Sequence, residues 1–87
     1  MVDMLFICHL SINHKEMTKA IKMIKNPKLP EGVKIRESLW LFGKPDAMLI
    51  FEATDESTAG HFVIQFGPVA ESCTSIAFPI DELRWTL

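Results

Sequence analysis

The chain has 87 residues, 48% hydrophobic and 23% charged, with a formal net charge of −2. That balance argues against intrinsic disorder and predicts one small domain over residues 1–87. The weak negative charge predicts no strong attraction to nucleic acid or to an anionic membrane, and no apolar run is long enough to span a bilayer.

Met4 to Leu10 (MLFICHL) is a continuous apolar run holding one histidine, the pattern of a strand buried on both faces. Asn13 then offers an N-cap, with Glu16 three positions on as a variant capping box. Met17, Ala20, Ile21 and Ile24 follow at helical spacing, and Lys15, Lys19, Lys22 and Lys25 take the opposite, solvated face. Asn26-Pro27 stops this helix, and the prolines and glycine of Pro27 to Gly32 mark a loop.

A second strand is predicted from about Val33 to Phe42 and a third from Asp46 to Ala53, joined tightly enough through Gly43-Lys44-Pro45 to form a β-hairpin. Asp55 caps a second helix whose apolar face is Ala59, Phe62, Val63 and Phe66. Gly67-Pro68 predicts a left-handed cap at its end. Ser72 to Phe78 is a last strand. The remainder, residues 79–87, reads as a tail or short helix; its Trp85 packs either on a partner subunit or on its own sheet.

The order βαββαβ predicts an α+β fold of the ferredoxin-like type, an antiparallel sheet with two helices on one face. The open face of such a sheet normally turns polar. Here Met4 to Leu10 and Ala47 to Phe51 are apolar on both faces, so a second copy of the chain is expected to cover the open side as a two-fold dimer.

This architecture resembles the dimeric α+β barrel superfamily. The stretch Trp40-Leu41-Phe42-Gly43-Lys44-Pro45-Asp46, then Ala47 to Phe51, then Glu52-Ala53-Thr54-Asp55-Glu56 is similar to the GYD-domain proteins and related small families. Their pattern is a strand ending near an aromatic, Gly-x-Tyr-Asp, an apolar strand, a carboxylate, alanine and an acidic helix start. Pro45 stands where those proteins have tyrosine, so any role of that hydroxyl is absent. The superfamily includes isomerases, monooxygenases, haem-degrading enzymes and proteins without known activity. The resemblance therefore implies a scaffold and leaves the chemistry open.

Strand alternation places Leu49, Phe51 and Ala53 toward the helices and Met48, Ile50 and Glu52 away from them. It likewise places Phe6, Cys8 and Leu10 toward the helices and Leu5, Ile7 and His9 away. A three-residue hairpin loop pairs Arg36 with Glu52, Ser38 with Ile50 and Trp40 with Met48, and sets Ile35, Leu39 and Leu41 under the helices. A two- or four-residue loop sets Glu37 opposite Glu52 instead, a like-charge pair that destabilises. The first register makes His9, Arg36, Trp40 and Glu52 the candidate ligand-binding residues, in an apolar space with Ser38 among them.

Each has two readings. Glu52 is an ion-pair partner of Arg36 or a general base. His9 is a strand-end histidine bonded to backbone or a proton carrier. Trp40 stacks a planar ligand or fills the barrel. His9 and Glu52 sit at opposite strand ends, which excludes a catalytic pair within one subunit. His14, His61, Cys8 and Cys73 show no metal-ligand spacing, so no metal and no cofactor is expected. The two cysteines read as reduced core residues of a cytoplasmic protein.

Three functions remain: a homodimer binding a small, partly apolar molecule between its sheets, a cofactor-free isomerase or monooxygenase using Glu52 or His9, and an assembly module with a filled barrel. Whether the chain is an enzyme stays open on the sequence.

Overall fold

A computed structural model describes residues 3–82. Trp85 lies outside them. The elements run β1 (Met4–Ile12), α1 (Met17–Lys25), β2 (Val33–Trp40), β3 (Ala47–Ala53), α2 (Glu56–Val63) and β4 (Ala70–Ala77), with short 3-10 turns at His14–Glu16, Ile64–Phe66 and Ile80–Glu82. The sheet order is β2-β3-β1-β4, antiparallel throughout. This is the ferredoxin-like βαββαβ fold.

The central strands follow the alternation of their sequence. On β1, Phe6, Cys8, Leu10 and Ile12 are buried, and on β3, Ala47, Leu49, Phe51 and Ala53. Ala20 of α1, Ala59 and Phe62 of α2, and Phe66 and Val69 close over them from one side. Phe6, Phe51, Phe62 and Phe66 form a chain of rings, with successive centroids 5.5, 4.7 and 5.8 Å apart. Full burial of each such side chain is worth about 1.5–3 kcal/mol, so this chain is the main cohesive element of a small core. The alternate residues Leu5, Ile7, Met48 and Ile50 are half-buried on the open face.

The first helix begins differently from the capping-box expectation. The Asn13 side chain accepts from the Lys15 N–H at 3.0 Å, which starts a 3-10 turn before α1 proper, and no side-chain bond from Glu16 caps the helix. Asp55 does cap α2. Its carboxylate accepts from the Thr58 N–H at 2.7 Å, and this bond holds the carboxyl below the ordinary carboxylate range. At the far end of α2, Gly67 is right-handed (φ −50°, ψ −42°), not a left-handed cap. The 3-10 turn Ile64–Phe66 closes the helix instead, with the Gly67 N–H donating to the Ile64 carbonyl at 3.1 Å.

Gly32 has φ +90°, and a Cβ there would lie 3.1 Å from the Thr54 side chain. Both backbone and space therefore require glycine where the loop turns into β2. That loop is tied to the 3-10 turn after α2 by Gln65, whose Oε1 accepts from the Lys28 N–H and whose Nε2 donates to the Lys28 carbonyl, each at 2.9 Å.

The hairpin is where the sequence reading needs correction. The connection runs from Leu41 to Asp46, longer than three residues, and β2 carries a bulge between Ile35 and Glu37. Arg36 is the extra residue. The register is Lys34 with Glu52, Ile35 with Phe51, Glu37 with Ile50, Ser38 with Leu49, Leu39 with Met48 and Trp40 with Ala47. Leu39 thus moves to the open face, and Ser38 and Trp40 to the helix side. A slip of one residue exchanges faces, and here the bulge and the longer loop exchange those of Glu37 to Trp40, while Lys34 and Ile35 keep the expected ones.

Asp46 anchors the hairpin to the sheet. Its N–H donates to the Leu10 carbonyl at 2.9 Å, its carbonyl accepts from the Leu41 N–H at 2.8 Å, and its carboxylate accepts from the Ile12 N–H at 2.8 Å. The last bond satisfies a β1 donor just past the end of the β1–β3 ladder. Asp46→Ala is expected to lower stability by about 1–3 kcal/mol, and Asp46→Asn, which keeps an acceptor oxygen, by clearly less. Urea unfolding of both variants checks this; equal losses would remove the carboxylate bond from the account.

Candidate ligand-binding site

At one corner of the open face the start of β1, the end of β3 and the end of β4 come together beside the bulge of β2. The bulge takes Arg36 out of the regular ladder, and its Nη1 donates to Glu52 Oε2 at 2.7 Å. The Arg36 side chain is 58% exposed and the Glu52 side chain 23%. A pair this wet contributes about 0–1 kcal/mol, so its consequence is the placement of two opposite charges more than stability. The contact expected between Arg36 and Glu52 is present, but it is reached from the bulge; Lys34 is the residue directly opposite Glu52.

The pair borders a cavity of about 420 Å³ with apolar walls from Leu5, Ile76 and Phe78. Asp3 and Glu82 also reach its rim. The volume lies within the usual range for small-molecule pockets, and the lining combines apolar walls with a few polar groups. Arg36 and Glu52 can each engage the polar end of a ligand whose body rests on Leu5 and Phe78. The contribution of Phe78 and Glu82 was not legible in the sequence, because it depends on how the chain turns after β4.

The other candidates lie elsewhere. His9 pairs with Met48 on β3 and Cys73 on β4, whereas Glu52 pairs with Leu5. His9 is therefore four positions along β1 from the level of Glu52, roughly 13 Å at about 3.3 Å per residue. Trp40 is farther still. With Ser38, Leu39, Ile21, Ile24 and Lys25 it lines a separate groove of about 460 Å³ between α1 and the end of β2. The assignment of Trp40 to the same space as Glu52 is thus corrected: the shifted register turns it toward α1. Among the described residues, no group of three or more His, Cys, Asp or Glu is placed to hold a metal ion.

Comparison with known proteins supplies a fold. No family model and no curated protein matches the sequence. Among solved structures, the chain is similar to LrpC of B. subtilis, with TM-score 0.70 and 16% identity over 87% of this chain and 51% of that one. It is also similar to MtbAldR, with TM-score 0.71 and 16% identity over 98% of this chain and 59% of that one. The chain thus spans about half to three-fifths of these neighbours. At such identity the likeness shows the ferredoxin-like fold. No helix among the described residues is long and apolar enough to cross a membrane.

The two thiols differ sharply. Cys8 is fully buried in the core, and burial pushes its thiol up, against a hydrogen bond with Thr74. Cys73, expected in the core, is instead exposed on the open face of the edge strand β4 beside His9. In dilute native protein a disulfide reagent is expected to modify Cys73 quickly and Cys8 only after unfolding. Mass-spectrometric localisation of the label checks this; native labelling of Cys8 at a similar rate would contradict the burial of the β1 core face.

Proposed function

We propose that the chain is a homodimer formed through the open face of its sheet, in the manner of a dimeric α+β barrel, and that it binds a small, partly apolar molecule in the corner cavity carrying Arg36 and Glu52. The apolar row on the open face carries this reading. Leu5, Ile7, Met48 and Ile50 lie together on the two central strands, where an uncovered antiparallel sheet would show polar side chains. A second sheet at about 10 Å covers that row and deepens the corner cavity at its edge.

Other observations support the reading. The fold neighbours are regulators of the Lrp/AsnC family, in which this fold occupies part of a longer chain. That setting fits a ligand-binding or assembly module. The closer likeness to GYD-domain proteins rests on Trp40 to Glu56 and adds only the scaffold. The free thiols Cys8 and Cys73 fit a reducing compartment, the cytoplasm. Catalysis has no comparable support, since Glu52 is engaged by Arg36 and His9 lies at another level of the sheet.

Sedimentation at micromolar concentration is expected to give a dimer for the parent chain and a folded monomer for Ile50→Asp. A parent that stays monomeric overturns the dimer. For the cavity, 8-anilinonaphthalene-1-sulfonate serves as an apolar anionic probe. Arg36→Ala is expected to weaken its binding about tenfold, a change of roughly 1.4 kcal/mol, while Trp40→Ala leaves the Arg36-dependent component intact. Equal affinity in the parent and Arg36→Ala removes the corner cavity from the proposal.

A further inference from the structure

Two apolar features occupy opposite corners of the molecule. After β4, Phe78 and Ile80 are 67% and 76% exposed, and Asp81 and Glu82 follow them directly. The second feature is the groove between α1 and the end of β2, where Ile21, Ile24 and Trp40 form an apolar trough with Lys25 beside it. Trp40 is 42% exposed there. Exposed apolar groups in these numbers are costly for a small domain and mark contact surfaces.

The charges of the two features are opposite. The segment after β4 couples two apolar side chains to two carboxylates within five residues, Phe78 to Glu82. The groove couples an apolar trough to Lys25, with exposed Lys22 one turn earlier on the same helix. Pro79 keeps the segment from extending the β4 ladder, so its backbone is left to follow another surface.

The segment cannot reach the groove of its own chain. The β4 end, Ala77, lies level with Leu5, and Trp40 lies level with Leu10 through Ala47. That is about 17 Å along the strands and about 14 Å across three strand spacings, roughly 22 Å in all. Ile80 is three residues past Ala77, a reach of at most about 11 Å, and Glu82 at most about 18 Å.

We propose that the segment Phe78–Glu82 of one copy docks in the α1–β2 groove of another copy, with Phe78 and Ile80 against Ile24 and Trp40 and with Asp81 and Glu82 facing Lys25. Exchange of both segments across a two-fold axis fills both grooves and closes the assembly. This contact is distinct from the stacking of open sheet faces and does not require it.

The test uses the Ile50→Asp chain, in which open-face pairing is removed, so the two associations are read separately. Ile80→Cys protein is mixed with Ile24→Cys protein, each with Cys8→Ala and Cys73→Ser, under a thiol–disulfide buffer. Heterodimer cross-links are expected to form at least about tenfold faster than for Ile80→Cys mixed with an Ile64→Cys control, whose site is exposed on another surface. Rates equal to the control overturn the proposal. A second measurement avoids cysteine substitutions in the core. In sedimentation at concentrations well above the micromolar range, where this weaker contact forms, Asp81→Lys with Glu82→Lys is expected to abolish the association of the Ile50→Asp chain, and Lys25→Glu on that background to restore it. Loss without restoration, or no loss, also overturns it.

Discussion

The antiparallel pairing of β1 with β3 fixes the rest of the molecule. These two strands occupy the centre of the sheet, and their register aligns Phe6 with Phe51 and Cys8 with Leu49 on one side and Ile7 with Ile50 on the other. The first set is buried under α1 and α2 and makes the core. The second set has the same apolar character but no cover among the described residues. A one-residue slip would exchange the sets, yet both are hydrophobic, so the pattern of these strands alone discriminates weakly against it. The discrimination comes from flanking groups: Glu52 and His9 fit the open face, and Asp46 binds both Leu10 and Ile12 at the strand end.

The same constraint shapes the candidate site. Because Leu5 and Glu52 are partners, the only carboxylate of β3 emerges at the end of an apolar row. The bulge then brings Arg36 to it. A regular β2 continuing from Lys34 would have set Arg36 opposite Ile50 on the same face; the bulge instead takes it out of the ladder beside Glu52. The ion pair thus sits at an irregularity in an edge strand, and edge strands tolerate such irregularities because their outer side has no ladder to break. At the opposite corner the same edge strand ends in Trp40, turned toward α1. One strand therefore presents a charged group to the open face and an aromatic group to the helix layer.

Much of this was legible in the sequence. Helical spacing located α1 and α2, and the two-residue period assigned both faces of β1 and β3 residue by residue. The Arg36–Glu52 contact was also foreseen, though from a register that does not exist. The misreading of β2 has a physical origin. A bulge adds a residue without leaving a mark in a strand as mixed as VKIRESLW, and the true loop, Leu41 to Asp46, looks like strand because Leu41 and Phe42 are apolar. Phe42 is instead fully exposed at the hairpin tip. The cavity wall supplied by Phe78 and the level of His9 beside Cys73 were hidden for another reason: both depend on the β1–β4 pairing, which joins residues far apart in the chain.

The central claim is that a second copy covers Leu5, Ile7, Met48 and Ile50. Isotope-filtered nuclear Overhauser spectroscopy tests it most directly, using a mixture of labelled and unlabelled chains at a concentration where a dimer would form. The account predicts intermolecular contacts from the methyl groups of Ile7, Met48 and Ile50, and none from the core methyls of Leu10 and Leu49. A spectrum with no intermolecular contact at the open-face methyls would contradict it.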